Sequence, residues 1–263
     1  MTTGEPVGRV RAVWRYPVKS MQGERLASGV FTPAGVSGDR RFAVVDAGTG
    51  KVASAKNPKK WGGLLACTAR FDEAGRLHLT LPDGGQVCGT DPELNAVLSD
   101  RLGRPVEFRE VHAAGRIEVT WPEVPGLPLA GTHTEETLPL GSFCDLAPVH
   151  LLTTATLERL TQTHPTGRFE PGRFRPNLLV ESSATGFPED EWVGRVVAVG
   201  TVRLRLTARA SRCVMTTLAQ PGLSADAGVL RAVVAANTAH AGVYAEVIEP
   251  GVVQEGDVLK LEG

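Results

Sequence analysis

The distribution of apolar and polar positions along the chain is dominated by short alternating stretches. Residues 8–16 and 202–208 alternate small or apolar residues with basic or polar ones. A period of two residues places every apolar side chain on one face of an extended strand. Val, Thr and Gly are abundant, and turn residues recur between the stretches. The pattern therefore predicts a mainly β protein.

Gly- and Pro-containing segments mark the turns that separate the predicted strands. They include residues 33–35, 47–50, 72–75, 82–85 and 200–201. The further strands predicted from these patterns are 25–31, 42–46, 52–55, 63–71, 76–81, 106–111, 143–152, 178–181, 195–199, 242–249 and 257–261.

Three segments predict helices, at residues 91–103, 153–163 and 228–236. The first has Asp91 as its cap, Pro92 at its first position and Gly103 at its end.

Residues 113–140 are rich in Pro, Gly, Thr and Glu. They predict either a long exposed connection between two halves or an insertion over the mouth of a site. We place the domain boundary within this segment, which gives an N-terminal domain of residues 1–120 and a second domain of residues 121–263.

Composition and charge narrow the functional classes. The chain has 263 residues, 42% of them hydrophobic and 22% charged, with a formal net charge of −1. Such a charge gives no global field for nucleic acid or an acidic membrane surface. No apolar run is long enough to span a bilayer, and residues 1–6 lack the pattern of a signal peptide. We therefore expect a cytoplasmic protein whose four cysteines are free thiols.

Five short stretches place polar or basic groups at the ends of predicted strands or helices. They are residues 17–20, 38–41, 152–154, 174–177 and 211–213. If they converge, the cations share one pocket, and like charges repel strongly at low dielectric unless an anion joins them. A phosphate or pyrophosphate would suit such a pocket. The thiol of Cys213, which follows Arg212, is a candidate soft-metal ligand or nucleophile.

The sequences Tyr-Pro-Val-Lys-Ser, Gly-Asp-Arg-Arg-Phe, Phe-Arg-Pro-Asn and Ser-Arg-Cys-Val-Met-Thr-Thr occur in this order along the chain. In order and spacing they resemble the MOSC family, in particular the two-domain branch that contains the amidoxime-reducing component and its bacterial relatives. The resemblance covers nearly the whole chain. It implies a β-barrel-like N-terminal domain packed on a mixed α/β MOSC domain, which is also a β-barrel, with the site in the cleft between them.

The resemblance also implies a molybdenum cofactor (Mo-molybdopterin). By this likeness Cys213 ligates the molybdenum and is the catalytic residue. The residues implied to hold the pterin and phosphate are Lys19, Ser20, Arg40, Thr153, Thr154, Arg175, Asn177, Ser211, Arg212 and Tyr244. The implied activity is that of an oxidoreductase that reduces small N-hydroxylated or N-oxygenated substrates by oxygen-atom transfer, with electrons from a separate donor protein.

The chain departs from the family pattern at residues 218–222 and 237–240, on the expected substrate side of the pocket. Three alternatives stay open: a non-catalytic carrier of the cofactor, a sulfur carrier that uses Cys213 as a persulfide, and a pathway-specific MOSC enzyme with another ligand. Taken without the resemblance, Cys213 is typical of a small buried hydrophobic residue. Lys19 and Arg40 are then typical of exposed loop charges.

Overall fold

The computed structural model describes residues 4–111, 115–139 and 141–263. Its strands are β1 (Glu5–Arg15), β2 (Glu24–Leu26), β3 (Ser28–Thr32), β4 (Gly35–Val36), β5 (Phe42–Asp46), β6 (Thr68–Phe71), β7 (Leu77–Thr80), β8 (Gln86–Cys88), β9 (Val106–Glu110), β10 (Arg116–Thr120), β11 (His133–Thr137), β12 (Val149–Thr153), β13 (Leu178–Glu181), β14 (Val196–Val199), β15 (Val202–Ser211), β16 (His240–Glu249), β17 (Gly251–Gln254) and β18 (Val258–Leu261). Its α-helices are α1 (Pro58–Trp61), α2 (Leu94–Leu102), α3 (Thr154–Thr163), α4 (Pro171–Phe174) and α5 (Ala227–Asn237), and short 3₁₀ helices cover Gly62–Ala66, Pro188–Trp192 and Val214–Thr217.

Seven strands close into a barrel in the order β13-β12-β16-β15-β14-β18-β1, and β1 completes the ring by pairing with β13. The β12–β13 pair is parallel and is connected through α3, whereas the other pairs are antiparallel. Closure satisfies the backbone groups that an open sheet would expose at its edges. The predicted mainly β, barrel-containing fold class is confirmed.

Strand β1 joins the N-terminal part of the chain to this barrel. It pairs with β18 from Glu5 to Arg9 and with β13 from Arg9 to Val13, and each pairing contains a register shift, between Pro6 and Gly8 and between Val10 and Ala12. Such an irregularity bends and twists a strand, which helps it to serve two neighbours. The barrel therefore takes strands from both sides of residue 120, and the proposed division of the chain there remains a prediction.

The barrel interior is a continuous apolar core to which Val13, Leu151, Leu204, Val243 and Leu259 contribute. A second core lies outside it, where α3 and α5 pack on the sheet. The N-terminal region has its own core around α2 and the β6–β7–β8 sheet. Each of these three cores is filled by apolar side chains from one face of a strand or of a helix. The spacing of apolar residues in the sequence therefore explains which side chains enter each core.

The segment from 113 to 140 differs from its prediction. Residues 113, 114 and 140 lie outside the described residues, but β10 and β11 form an antiparallel hairpin within the segment. Ile117 and Val119 of β10 are fully or almost fully buried. The expectation of an exposed connection was therefore wrong for this part of the chain, because pairing with β10 stabilises a second strand that has no apolar residue of its own.

Two smaller predictions were also wrong in detail. The N-terminal part of the predicted strand 63–71 is a 3₁₀ helix, and only Thr68–Phe71 is extended. β5 pairs along its length with β9. The predicted strand 52–55 meets β5 only at a single bridge, between Val45 and Val52. Helix α2 begins at Leu94 without a side-chain cap and ends at Gly103, which is left-handed as predicted. Among the described residues, no helix has both the length and the apolar character needed to cross a membrane.

Candidate functional site

A cavity of about 290 Å³ is lined by residues from both halves of the chain. It collects every predicted site residue except two. The predicted residues that line it are Lys19, Ser20, Arg40, Arg175, Asn177, Ser211, Arg212, Cys213 and Tyr244. The four motifs that stand far apart in sequence therefore converge on one cavity.

Thr153 and Thr154 are not among the lining residues, so the structure does not bring these two predicted residues to the cavity. The Thr153 hydroxyl donates to Glu189 Oε2 at 2.6 Å and accepts from the Thr156 amide at 3.1 Å, so it caps α3. The Thr154 hydroxyl accepts from the Ser182 amide at 3.3 Å. Both hydroxyls are thus engaged by neighbouring structural groups rather than by the cavity.

Three of the cavity residues have left-handed backbone conformations. Their φ angles are 64° for Ser20, 44° for Arg40 and 56° for Arg175. A residue other than glycine pays about 1–2 kcal/mol for this conformation, so the surrounding structure must hold it. Ser20 is held in part through its hydroxyl, which accepts from the Ala55 amide at 3.0 Å. The strained turns direct these side chains to the cavity from strand and helix ends.

A chain of alternating charges runs along one part of the wall. Lys19 Nζ lies 2.5 Å from Asp145 Oδ1 and donates to the Phe143 carbonyl at 2.8 Å. Lys56 Nζ lies 3.4 Å from Asp145 Oδ2 and 3.0 Å from Glu136 Oε2. Burial alone would raise the pKa of Asp145, but the charges of Lys19 and Lys56 outweigh it and hold that pKa below its usual range. Asp145 is therefore an anionic link between two buried lysines.

Two arginines pack against the ring of the buried Tyr16, and they differ in their other partners. The Arg40 guanidinium lies 4.7 Å from the ring centre and is paired with Asp39, whose other oxygen accepts from the Tyr16 amide at 2.7 Å. The Arg175 guanidinium lies 4.3 Å from the same ring centre and donates to the Met21 carbonyl. Both contacts are within cation–π distance, so the ring fixes the two guanidinium planes.

Arg212 is held by neutral acceptors. Its Nε donates to the Ala210 carbonyl at 3.0 Å and its Nη1 to the Phe174 carbonyl at 2.9 Å. Its Nη2 lies 3.1 Å from His150 Nε2, which must accept this hydrogen bond. Burial and the charge of Arg212 hold the pKa of His150 well below its usual value, so His150 stays neutral. Neutral His150 is therefore a positioning group for Arg212.

The charge of the cavity is not balanced by the protein. Among the described residues, neither Arg175 nor Arg212 has a carboxylate within salt-bridge distance, although both are only 8% exposed. Burial and the nearby Arg40 lower the pKa of Arg175 to about 10, and burial also lowers the pKa of Arg212. A buried cation without a partner is costly. The cavity is therefore suited to an anionic ligand.

Cys213 lies at the cavity directly after β15, in an extended conformation that precedes the short helix Val214–Thr217. Burial raises the pKa of its thiol, while Lys56 and, to a smaller extent, Arg212 act in the opposite direction. Arg212 thus favours the thiolate, but burial outweighs it and the net shift of the Cys213 pKa is upward. In the described residues no group of three or more His, Cys, Asp or Glu side chains could hold a metal ion. Two free thiols line the cavity, Cys213 and the buried Cys144.

Two family models match the two parts of the chain that together line the cavity. Residues 7–118 match the model of the MOSC N-terminal beta barrel domain, and residues 141–260 match that of the MOSC domain. This chain belongs to the MOSC family. It is 24% identical over 242 residues to mitochondrial amidoxime-reducing component 1 of Mus musculus, a match that spans 81% of the chain and 66% of that relative.

Two solved structures show a weaker likeness to this MOSC protein. The YUAD protein from Bacillus subtilis has a TM-score of 0.48 at 11% identity, over 97% of this chain and 94% of its own. YiiM from Geobacillus stearothermophilus has a TM-score of 0.35 at 18% identity, over 44% of this chain and 55% of its own.

Several groups in the MOSC cavity were not predicted as site residues. They include Lys56, Trp121, Glu136, Cys144, Asp145 and Arg173. Asp145 could have been recognised from the sequence, because it is a lone carboxylate between Cys144 and Leu146 at the start of the predicted strand 143–152. Glu136 could not have been recognised, because its place at the cavity depends on the hairpin β10–β11.

Proposed function

We propose that this cavity binds a molybdenum cofactor with Cys213 as the protein ligand to the metal. The observation that supports the proposal most is that two buried guanidiniums, Arg175 and Arg212, have no carboxylate partner in the described residues and line the same cavity as the Cys213 thiol. A phosphate-bearing cofactor that carries a soft metal would supply both missing partners. MOSC domains are associated with this cofactor, which agrees with the charge balance.

The remaining donors of the two arginines fit a phosphate. A guanidinium has five N–H donors, and Arg212 uses three of them on the Ala210 and Phe174 carbonyls and on His150. Arg175 has one protein acceptor, the Met21 carbonyl, among the described residues. We assign these two as the main anion ligands. Lys19 and Arg40 already have carboxylate partners. They would contribute positive electrostatic potential and further hydrogen bonds to the anion.

Smaller polar groups would complete the contact with the pterin. Ser20, Asn177, Ser211 and Tyr244 all line the cavity. Asn177 is largely committed, because its Oδ1 accepts from the His150 amide at 3.1 Å and its Nδ2 donates to the Trp14 carbonyl at 3.3 Å. Its role would therefore be to fix the loop that carries Arg175. Tyr244 lies with its ring 6.0 Å from the Arg212 guanidinium and would orient that side chain.

The protonation of Cys213 follows from its surroundings. Because burial raises the pKa of the thiol, Cys213 keeps its proton when no metal is present. Metal ligation requires the thiolate, so uptake of the cofactor releases that proton. Among the groups that lower the pKa of the Cys213 thiol, Lys56 has the largest effect. Lys56 would therefore stabilise the thiolate that ligates the metal.

We further propose that the protein reduces N-oxygenated substrates. An N-hydroxylated compound that takes up two electrons and two protons loses its N–O bond and yields the corresponding N–H compound and water. A bound molybdenum cofactor supplies this oxygen-atom chemistry, and the protein supplies binding, orientation and field. The electrons would come from a separate donor protein.

The experiment is reduction of benzamidoxime by the full chain, purified from a host that makes the cofactor and supplied with a chemical reductant. Changes around a metal site typically cost about 10- to 100-fold, and loss of the ligand itself in Cys213→Ala should cost more. Cys88→Ala is the matched control, because Cys88 lies outside the cavity lining. Full activity in Cys213→Ala would refute the proposal, and molybdenum without any turnover would favour the carrier alternative.

A further inference from the structure

One part of the cavity wall is built by the hairpin β10–β11 together with the loop that follows β5. The Lys56 carbonyl accepts from the Thr120 amide at 2.8 Å, which fixes the loop to the hairpin. On the same loop the Ala55 amide donates to Ser20. Lys56 from the loop and Glu136 from β11 meet across this junction at 3.0 Å. Their positions are therefore determined by backbone contacts on both sides.

This ion pair has hydrogen-bonding capacity left over. An ammonium group has three donors, and Lys56 Nζ has two partners among the described residues, Glu136 and Asp145. Glu136 uses Oε2 in the pair, and its Oε1 has no partner in that part of the chain. The Lys56 side chain is 11% exposed and that of Glu136 is 34% exposed. The pair thus offers the cavity one donor and one acceptor, with the acceptor nearer to solvent.

A flat apolar surface belongs to the same wall. Trp121 follows β10, lines the cavity and is half-buried. Its indole Nε1 donates to the Thr134 hydroxyl at 3.0 Å, so the ring orientation is fixed by β11. A rigid aromatic face beside a donor and an acceptor is the kind of lining that gives a small-molecule site its orientation.

We propose that Lys56 and Glu136 are specificity-determining residues that select substrates with an N–H group beside the N–O bond. The inference rests on the proposed function and defines the substrate end of that cavity. An N-hydroxyamidine is planar and carries an oxygen acceptor on one nitrogen and an N–H donor on the other nitrogen of the same amidine carbon. Lys56 donates to the oxygen and Glu136 accepts from the N–H. A tertiary or aromatic N-oxide has the oxygen but no N–H, and it leaves the Glu136 acceptor without a partner.

The test measures equilibrium binding by calorimetry to the cofactor-loaded full chain without an electron donor, so that no turnover occurs. The ligands are benzamidoxime and pyridine N-oxide, which share a flat ring and an N–O oxygen, but only benzamidoxime carries N–H and O–H donors. In Glu136→Gln the benzamidoxime Kd should rise by about tenfold, since the hydrogen bond is then made to a neutral amide oxygen instead of a charged carboxylate. The pyridine N-oxide Kd should stay within about twofold, or binding should stay undetectable in both proteins. Lys56→Gln should raise the Kd of every ligand that the parent binds.

The matched control is Glu135→Gln, because Glu135 neighbours Glu136 on β11 but pairs with Lys51 and Arg116 away from the cavity. It should leave both dissociation constants unchanged. An unchanged benzamidoxime Kd in Glu136→Gln, or equal weakening of both ligands, would overturn the inference. Loss of molybdenum from Glu136→Gln would assign the residue to cofactor retention and would also overturn it. Failure of the proposed function has a different signature, namely a parent chain without molybdenum or without reductase activity.

Discussion

Asp145→Asn is the substitution that most sharply tests how the cavity is held together. It keeps the shape of the side chain but removes the charge that Lys19 and Lys56 share. Lys19 would retain the Phe143 carbonyl at 2.8 Å, and Lys56 would retain Glu136 at 3.0 Å. The variant therefore leaves Lys19 as a buried ammonium without a carboxylate.

The magnitude follows from the burial of each group. Removing one partner of a buried ion pair costs about 3–5 kcal/mol. The Lys19 side chain is 6% exposed, which favours the upper part of this range, but that of Asp145 is 30% exposed, which lowers it. We expect a loss of about 3 kcal/mol in the free energy of unfolding, at the lower end of that range. A protein of ordinary stability would lose a large share of its total.

The pH dependence has a defined sign. Because the folded-state pKa of Asp145 lies below its usual value, its contribution is complete above the unfolded pKa of about 3.9 and is lost as the pH falls through the folded pKa. The difference between parent and variant should therefore be full at neutral pH and should shrink only below about pH 4.

The assay is urea unfolding of the purified chains at neutral pH. Asp83→Asn is the control, because its pair with Arg101 is exposed and such pairs contribute less than about 1 kcal/mol. The double variant Lys19→Met/Asp145→Leu, which removes the unpaired charge, should recover part of the loss. If Asp145→Asn cost no more than Asp83→Asn, the account of a buried charge chain would be refuted.

Two further predictions concern Arg175 and Gly242. Arg175→Met should change the stability of the cofactor-free chain by less than about 1 kcal/mol, because relief of the buried charge offsets the lost hydrogen bond to Met21, but it should abolish the rise in Tm that inorganic pyrophosphate gives the parent. An undiminished pyrophosphate effect in the variant would remove Arg175 from the anion site. Gly242→Ala should cost more than about 2 kcal/mol in urea unfolding, since φ is +82° and the added Cβ would lie 2.4 Å from His150 Nε2. Gly50→Ala is the control, because Gly50 has φ +69° and open space around it, so only the backbone strain of a positive φ is added. It should cost clearly less free energy of unfolding than Gly242→Ala. Equal losses would contradict the steric argument.

Much of the cavity could be predicted because its basic residues stand where the chain must leave regular structure. Pro17 ends β1 just before Lys19, and Arg175 follows the short helix Pro171–Phe174. Such positions expose side chains at strand and helix ends, so convergence was a reasonable expectation from sequence. What sequence could not give was the pairing of each charge, which decides that Arg40 is neutralised by Asp39 whereas Arg175 is not.

The hairpin β10–β11 was missed for a physical reason. In β11 the sequence His-Thr-Glu-Glu-Thr has no apolar residue, so the period-two signal that identifies a strand is absent. The strand exists because it pairs with β10, in which Ile117 and Val119 are buried. Glu136 and its role at the cavity could be recognised only after that pairing was known. Thr153 was placed at the site because it begins a helix, but it is bound to Glu189 in the structure.

The central claim is that the buried cations and Cys213 form the site of a molybdenum cofactor. The most direct measurement is the molybdenum and pterin content of the full chain purified from a host that makes the cofactor. The account predicts molybdenum close to stoichiometric with the parent chain and a strongly reduced content in Arg175→Met/Arg212→Met, with Arg41→Met as the exposed-arginine control. A parent chain that carries neither molybdenum nor pterin, or a double variant that retains both in full, would contradict it.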